Sequence, residues 1–312
     1  MRSALLLGPS LVIAFLGAAA ACADSPSSGS SSGGPGENES GTDAPSGGPD
    51  AAGDTSTGDA GSDAEEPLSN ATEVEPNGGQ PATAVGAMKL PGTMNGKIDP
   101  ANDADLFAID LTPGDFWEWT AVPTTADLAP HVTVFDIAAA SLNPTVVGYA
   151  AAGTPAKLQH FVLRPGTFVM GMRDLRNVGA SGNKGGSTFG YAVTAKHVAP
   201  QPISVTFPTT KTGKLASLGS VDLYTFKGTG GKGFDIIIRA DRKLPKSTLD
   251  SRLSLFDITA KKAIITNDNA PTTTDSQVGG DDPLPSTYMV IVENEGKNDA
   301  DLSYEIEFKL RP

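Results

Sequence analysis

Apolar and polar residues alternate along much of the chain beyond residue 73. The pattern is clear in three stretches, Ile203-Val205-Phe207, Phe234-Ile236-Ile238 and Ile306-Phe308. A period of two places successive side chains on opposite faces of a β-strand. Gly, Pro, Asn and Asp interrupt the apolar stretches roughly every ten residues, as turns do between the strands of a sandwich or barrel. The pattern therefore predicts an all-β fold.

This strand-rich region compares well with itself. Four anchors recur in the same order: Asp105-Leu106-Phe107 with Asp222-Leu223-Tyr224, Val134-Phe135-Asp136-Ile137 with Leu255-Phe256-Asp257-Ile258, Thr167-Phe168-Val169-Met170 with Thr287-Tyr288-Met289-Val290, and Tyr191-Ala192-Val193 with Tyr304-Glu305-Ile306. The two members of each pair lie 113 to 121 residues apart. A period this long indicates tandem domains, since solenoid repeats run about 20–50 residues. We therefore predict two domains, residues 73–198 and 199–312, each long enough to enclose one core.

Short motifs follow one another along the first copy in a recognisable order. They are Glu73-Val74-Glu75-Pro76-Asn77, Gly96-Lys97-Ile98, Asp103-Ala104-Asp105-Leu106-Phe107, Pro113-Gly114, Val134-Phe135-Asp136, Pro165-Gly166-Thr167-Phe168 and Tyr191. In this order they resemble the bacterial pre-peptidase C-terminal domain family along nearly the whole of residues 73–198. The second copy is more divergent and lacks the Glu-Pro-Asn stretch, but it keeps Gly213-Lys214-Leu215, Asp222-Leu223-Tyr224, Leu255-Phe256-Asp257, Thr287-Tyr288 and Tyr304. The resemblance implies two tandem jelly-roll-like β-sandwiches, non-catalytic and of a kind commonly appended to secreted peptidases and other exported proteins.

The sharpest candidate chemistry is a calcium site in the first copy. Ca²⁺ takes about 6–8 oxygen ligands, and six candidates lie close in sequence: Glu73, Glu75, Asn77, Asn102, Asp103 and Asp105. The first three alternate along an extended segment, so they would project oxygen groups to one side. The last three lie on a turn that could complete the set of oxygen ligands around the ion. In calcium-binding relatives these positions supply ligands, so the resemblance implies the same role here.

The alternative is an acidic turn exposed to solvent. Asp222 recurs at the position of Asp105 in a copy that has no Glu-x-Glu segment. An Asp at this position can therefore serve the turn itself. We expect no calcium in the second copy.

Trp117 and Trp119 lie two residues apart, and hence on one face of a strand. Such a pair could form a stacking platform for a sugar or a protein. Aligning the copies at Asp105 and Asp222 places Phe234 over Trp117 and Ile236 over Trp119. Positions that are apolar in both copies favour the core face.

Other catalytic or metal-binding patterns do not stand out. His131, His160 and His197 are scattered, without a Cys or a paired His at ligand spacing, which argues against a transition metal. Nucleophile-elbow, zinc-peptidase and phosphate-loop motifs do not occur. We therefore expect a protein that is not an enzyme; a hydrolase with an unusual site is the least supported alternative.

The chain begins with the features of a bacterial export signal. Arg2 precedes an apolar run that ends at Leu16, and small residues follow it. The stretch Ala19-Ala20-Ala21-Cys22 resembles the lipobox of bacterial lipoproteins, and Cys22 is the only cysteine. The resemblance implies a signal peptide over residues 1–22, lipidation of Cys22, and anchoring at the outer membrane or cell surface. The alternative is ordinary cleavage that releases a soluble secreted protein.

Residues 23–72 have the composition of a disordered stalk. Between Ala23 and Asn70 there are ten Asp and Glu residues and no Lys or Arg, among many Ser, Gly and Pro. Such a segment cannot bury enough apolar surface to offset the entropy of ordering it. Most of the net charge of −13 is therefore local to the stalk.

These features favour a tethered, non-enzymatic adhesion or binding protein outside the cell. Its partners would be a membrane, through the lipid anchor, and an extracellular polysaccharide or protein ligand. The acidic balance argues against nucleic acid, whose phosphates need clustered Lys and Arg. The alternative is a structural spacer or an assembly subunit of a cell-envelope or secreted-peptidase complex.

Overall fold

The computed structural model describes residues 69–74, 86–137, 144–178, 182–228, 230–242, 244–269, 273–280, 285–296 and 300–311. Apart from one 3₁₀ turn at Leu175–Asn177, the regular structure of these ranges is β-strand, which confirms the all-β prediction. Within these ranges there is no helix that is long and apolar enough to cross a membrane. Cys22, the predicted signal peptide and most of the predicted stalk lie outside the described residues.

The described residues before position 198 form ten strands. They are β1 (Ser69–Thr72), β2 (Gly86–Ala87), β3 (Gly92–Lys97), β4 (Ala104–Leu111), β5 (Phe116–Pro123), β6 (Pro130–Asp136), β7 (Pro144–Tyr149), β8 (Ala156–Phe161), β9 (Gly166–Asp174) and β10 (Gly190–His197). One sheet has the order β1-β3-β10-β5-β8 and the other β2-β4-β9-β6-β7. Buried side chains from both sheets form one core, so the two sheets make a sandwich.

Nine strands follow residue 202 in the part of the chain that the structure describes. They are β11 (Ile203–Ser204), β12 (Thr209–Lys214), β13 (Asp222–Lys227), β14 (Phe234–Arg239), β15 (Ser251–Asp257), β16 (Lys262–Asn267), β17 (Gln277–Gly280), β18 (Thr287–Asn294) and β19 (Ser303–Leu310). Their sheets have the orders β12-β19-β14-β17 and β11-β13-β18-β15-β16. These orders repeat those of the first sandwich strand for strand, except that β1 has no counterpart among the described residues. The prediction of two sandwiches built to one design is confirmed.

The edges of the predicted segments need two corrections. Ser69–Thr72, placed at the end of the disordered stalk, forms β1, which pairs in parallel with β3. The stretch predicted as one strand from Ile203 to Phe207 is a strand only at Ile203–Ser204; the Val205 N–H still donates to the Thr225 carbonyl of β13 at 2.9 Å, and the pairing ends there. The predicted boundary between residues 198 and 199 falls between the end of β10 and the start of β11.

Each sandwich encloses its own apolar core. The first is centred on Phe107, Trp119, Leu158, Met170, Tyr191 and Val193, and the second on Tyr224, Ile236, Leu255, Val290, Ile306 and Phe308. The alternation predicts which side chains enter the core on β14 and β19, where buried and partly exposed residues take turns. Burial of these side chains is the main favourable contribution to the folding of each sandwich.

A third buried cluster joins the two sandwiches. It contains Phe116 and Phe161 from the outer face of β5 and β8, and Val221, Leu223, Phe256, Met289 and Ile291 from the second sandwich. Strand β18 is therefore buried on both faces, and its side chains point alternately into the second core and into this junction. The continuous apolar run of β18 reflects this docking and not a break in the strand pattern.

Hydrogen bonds fix the edge of the junction. The backbone N–H of Gln159 on β8 donates to the carbonyl of Gly219 at 2.7 Å, and the N–H of Val221 donates to Gln159 Oε1 at 2.9 Å. The edge of β8 is thus covered by the segment between β12 and β13. Covering an edge strand satisfies backbone groups that would otherwise be open to pairing with another chain.

Candidate functional site

A buried carboxylate and a tyrosine hydroxyl meet at one end of the first sandwich. Asp105, the second residue of β4, faces inward and is 0% exposed. The hydroxyl of Tyr191, on β10, lies 2.7 Å from Asp105 Oδ2 and 3.0 Å from Glu73 Oε2. Glu73 directly follows β1, and its Oε1 accepts a hydrogen bond from the Lys97 N–H at 2.6 Å. The fold therefore brings together two of the six predicted calcium ligands.

Two carboxylates share a single hydroxyl in this arrangement. Burial, followed by the negative charges of Asp105 and Glu73, raises the pKa of Tyr191, so the phenol stays protonated. A phenol carries one proton and can donate it to only one oxygen at a time. Two carboxylates within hydrogen-bonding distance of one hydroxyl repel each other, and a cation bound beside them would relieve this repulsion.

In the described part of the second sandwich, the same Asp–Tyr pair occurs without a second acid. Tyr304 on β19 donates to Asp222 Oδ2 at 2.6 Å, and the Tyr224 hydroxyl lies 2.9 Å from that of Tyr304. The Tyr224 phenol is thus the second hydrogen-bonding partner of Tyr304, as Glu73 is of Tyr191 in the first copy. Burial raises the pKa of Asp222. Because this cluster holds one carboxylate, it has no repulsion that a cation would need to relieve.

A glycine makes room for the tyrosine in both sandwiches. A Cβ added at Gly96 would overlap Glu73 Oε2 and the Tyr191 hydroxyl, and a Cβ at Gly213 would overlap the Tyr304 ring. The recurrence of glycine at this point of the repeat follows from this close approach. Sequence reasoning did not assign the tyrosines, although Asp, Gly and Tyr recur together in both copies.

The turn before β4 contributes fewer side chains to the Glu73–Tyr191–Asp105 cluster than the sequence predicts. Asn102 has a left-handed backbone, with φ of 68°, and its side chain is exposed. Asp103 Oδ1 accepts a hydrogen bond from the Ala104 N–H at 2.8 Å, while its Oδ2 is buried and has no hydrogen-bond partner in the described part of the chain. The alternative of a solvated acidic turn is wrong for Asp105, which is buried.

The complete set of six ligands is not visible. Glu75 and Asn77 lie outside the described residues. Among the residues described, no group of three or more His, Cys, Asp or Glu side chains is arranged to hold a metal ion. The calcium site therefore stays a prediction, supported locally by the Glu73–Tyr191–Asp105 cluster.

The tryptophans lie in the core, as predicted. Trp119 is 0% exposed and Trp117 is 6% exposed, with their ring centroids 6.3 Å apart. The His197 ring meets Trp117 edge-on at 5.3 Å. Neither tryptophan is available as a stacking platform for a ligand.

Two of the three histidines are buried. Burial, assisted by Arg252, lowers the pKa of His160 to about 3, and burial together with Arg173 lowers the pKa of His131 to about 3. Both rings are neutral at physiological pH. His160 packs edge-on against Phe168 in the first core, which identifies it as a core residue.

A second pair of repeated polar residues closes the same loop in each sandwich. Asp174, at the end of β9, is 0% exposed and accepts a hydrogen bond from the Ala129 N–H at 3.0 Å. Asn294, at the end of β18, accepts one from the Asp250 N–H at 3.1 Å. These side chains connect the end of one central strand to the start of its neighbour. Sequence reasoning missed the pair because an Asp in one copy aligns with an Asn in the other.

The sequence matches no profile of a known protein family. No curated protein matches it either.

Solved structures with similar folds include a pre-peptidase C-terminal domain of collagenase from Bacillus anthracis. It is 17% identical over 36% of this chain and 98% of that domain, with a TM-score of 0.30. The tandem CBM51 modules of a family 98 glycoside hydrolase from Streptococcus pneumoniae are 11% identical over 68% of this chain and 84% of theirs, with a TM-score of 0.22. The M60 catalytic domain with two CBM51 domains of Clostridium perfringens ZmpB is 8% identical over 67% of this chain and 34% of that one, with a TM-score of 0.22. The fold assignment rests on the strand order of the four sheets.

Proposed function

We propose that this protein is an exported, non-catalytic binding protein that presents two β-sandwiches to an extracellular polysaccharide or protein ligand. The proposal includes a signal peptide over residues 1–22 and a lipid on Cys22, which mass spectrometry of the mature N-terminus would detect directly. The chain would be held at the outer membrane or cell surface through residues 23–68.

The observation that carries the proposal is how the fold uses its buried carboxylates. Asp174 and Asp275 are both 0% exposed and accept hydrogen bonds from backbone N–H groups of neighbouring loops. Asp105 and Asp222 each accept the hydroxyl proton of a tyrosine. A catalytic acid or base needs to face a cleft where substrate can reach it. These carboxylates face the protein itself, which leaves binding as the role that the described residues support best.

We further propose that the first sandwich binds calcium. Glu73 and Asp105 would supply two of the ligands, with Glu75, Asn77, Asn102 and Asp103 as the other ligands expected from the sequence. A hard cation would neutralise the two carboxylates that share the Tyr191 hydroxyl. No corresponding site is proposed in the second sandwich, where Tyr224 replaces the second acid.

Calcium should raise the stability of the wild-type protein. At free calcium 100-fold above the dissociation constant, binding to the folded state alone contributes about 2.7 kcal/mol. We expect EDTA to lower the melting temperature and excess calcium to restore it. Glu73→Gln should remove this response, because it replaces one charged ligand by a neutral amide.

The matched control is Asp222→Asn, which changes the corresponding cluster of the second sandwich. It should leave the shift between EDTA and calcium intact, whatever it does to the melting temperature itself. A wild-type melting curve indifferent to both EDTA and calcium would overturn the calcium proposal.

The binding function is tested on an array of extracellular polysaccharides and matrix proteins, probed with the full mature chain. We expect retention on a defined polysaccharide or protein and not on unrelated polymers. Failure to bind any polymer of the array would contradict the proposed function.

The docked junction favours a second candidate, a structural spacer or assembly subunit. Phe161 and Phe256 pack with their ring centroids 5.2 Å apart, within a buried cluster to which both sandwiches contribute side chains. A spacer would bind only its protein neighbours in the envelope. Retention on purified cell-envelope proteins, tested beside the array, with no retention on the array itself would support this candidate over adhesion.

A further inference from the structure

A cleft of about 200 Å³ lies where the two sandwiches meet. It is lined by Tyr149, Pro155 and Lys157 of the first sandwich and by Ser217, Leu218 and Gly219 of the second. Tyr149 ends β7 and Lys157 is the second residue of β8, while the other wall is the segment between β12 and β13. Clefts between domains are favoured places for small ligands.

The walls of the cleft are held in place by close backbone contacts. A Cβ at Gly148 or at Gly219 would overlap the carbonyl group of Lys157. The Gly219 carbonyl accepts the Gln159 N–H at 2.7 Å. Ser220 Oγ accepts the Ser217 N–H at 3.0 Å and fixes the second wall. A cleft built this way is formed before a ligand enters, which reduces the entropy lost on binding.

The chemistry of the lining matches a sugar ring. Tyr149 and Pro155 supply flat apolar surfaces, and tyrosine also carries a polar hydroxyl. Lys157 carries three N–H donors, and the Ser217 hydroxyl, which already shares a 3.0 Å hydrogen bond with Ser220 Oγ, can still make another. A pyranose needs this combination, since it has apolar C–H faces and a rim of hydroxyl groups. None of the six lining residues is acidic or a histidine, so the lining offers neither a general base nor a metal-ligand set.

We propose that this cleft binds one sugar residue of an extracellular polysaccharide. The assignment rests on the proposed binding function and specifies the ligand class. The volume is below the range of about 300–1,000 Å³ that accommodates a drug-sized ligand, so the cleft holds one ring and the rest of the polymer extends into solvent. Because both sandwiches supply a wall, the site exists only while the junction is docked.

The test is saturation-transfer NMR on the full mature chain with methyl glycosides of glucose, galactose, N-acetylglucosamine and glucuronic acid. We expect at least one glycoside to receive saturation. Tyr149→Ala should weaken its binding about tenfold through loss of the ring contact. Tyr149→Phe, which keeps the ring, should retain most of the affinity, and Lys157→Met should reduce it through the lost donors.

Lys227→Met is the matched control, because Lys227 is an exposed lysine on β13 outside the cleft. It should leave glycoside binding unchanged. Circular dichroism shows whether each variant is folded. If Tyr149→Ala does not fold, the loss of glycoside binding in Lys157→Met tests the cleft in its place. Absence of saturation for all four glycosides, or binding insensitive to the folded cleft variants, would overturn the assignment. Polymer binding on the array that is insensitive to these variants would overturn only the cleft assignment and leave the binding function standing.

Discussion

Replacing Phe256 by alanine is expected to lower the free energy of unfolding by about 3–5 kcal/mol and to uncouple the two sandwiches. Phe256 is 1% exposed and packs edge-on against Phe161 across the junction. Its removal leaves a cavity between two surfaces that are not covalently held together at this point. Each sandwich keeps its own core, so the variant should unfold in two steps.

The positions of the tryptophans make this result directly measurable. Trp117 and Trp119 are the only tryptophans, and both lie in the core of the first sandwich. Their fluorescence therefore follows the first sandwich, while far-UV circular dichroism follows both. In the wild type the two urea curves should coincide. In Phe256→Ala the circular dichroism curve should show an extra transition that fluorescence lacks.

Ile264→Ala is the control, because Ile264 is 52% exposed on β16 and lies outside the junction. Its free energy of unfolding should stay within about 0.5 kcal/mol of the wild type. If Phe256→Ala unfolds in one step at the wild-type midpoint, the junction does not couple the sandwiches, and the proposal of a site shared between them loses its basis.

Asp174→Ala is expected to lower the free energy of unfolding by about 2–4 kcal/mol. The substitution leaves the N–H groups of Ala129 and Arg176 without the acceptor that each has in the native protein, and an unsatisfied buried donor costs about 1–3 kcal/mol. Asp174→Asn should cost less, because Asn294 accepts the corresponding N–H of Asp250 in the second sandwich. Urea unfolding of the two variants at pH 7 measures both values.

The contribution of Asp174 should depend on pH. Burial opposes ionisation, but hydrogen bonds from Arg176 and from the Ala129 N–H outweigh it and lower the pKa of this carboxyl. A group with a lowered pKa in the folded state stabilises the protein fully above its unfolded pKa of about 4. This stabilisation is lost as the pH falls through the folded pKa. The difference in the free energy of unfolding between the wild type and Asp174→Asn should therefore be smaller at pH 3 than at pH 7. An equal difference at both pH values would contradict this account.

Several features of the fold follow from local pattern alone. The alternation of apolar and polar residues predicted strands β14 and β19 and the side chains that face inward on them. It does so because one face of each strand meets a core and the other meets solvent. The recurrence of Asp105 with Asp222 and of Tyr191 with Tyr304 placed corresponding strands at the same positions of two sandwiches. Comparison between the copies also placed Trp117 and Trp119 in the core. These features depend on the period of a strand and on the repeat, both of which are visible in the sequence.

The partners of the polar residues needed the tertiary structure. The sequence singled out Asp105 for its charge, but not its hydrogen bond to Tyr191, which is 86 residues away in the chain. Tyrosine carries no charge at neutral pH and appears in strands mainly as an apolar residue. The Asp174–Ala129 and Asn294–Asp250 contacts were missed because an Asp in one copy aligns with an Asn in the other, and because each contact joins residues that are distant in sequence.

The residue pattern establishes that the chain forms strands, that the strand set occurs twice, and which faces are apolar. The packing of the two sandwiches in three dimensions is needed to see that the strand faces carrying Phe161 and Phe256 meet, and hence that Tyr149 and Ser217 line one cleft. The periodicity of a strand records which side chains avoid water. It does not record which apolar face packs against which, because hydrophobic burial is non-directional and depends on the shapes brought together by the whole fold.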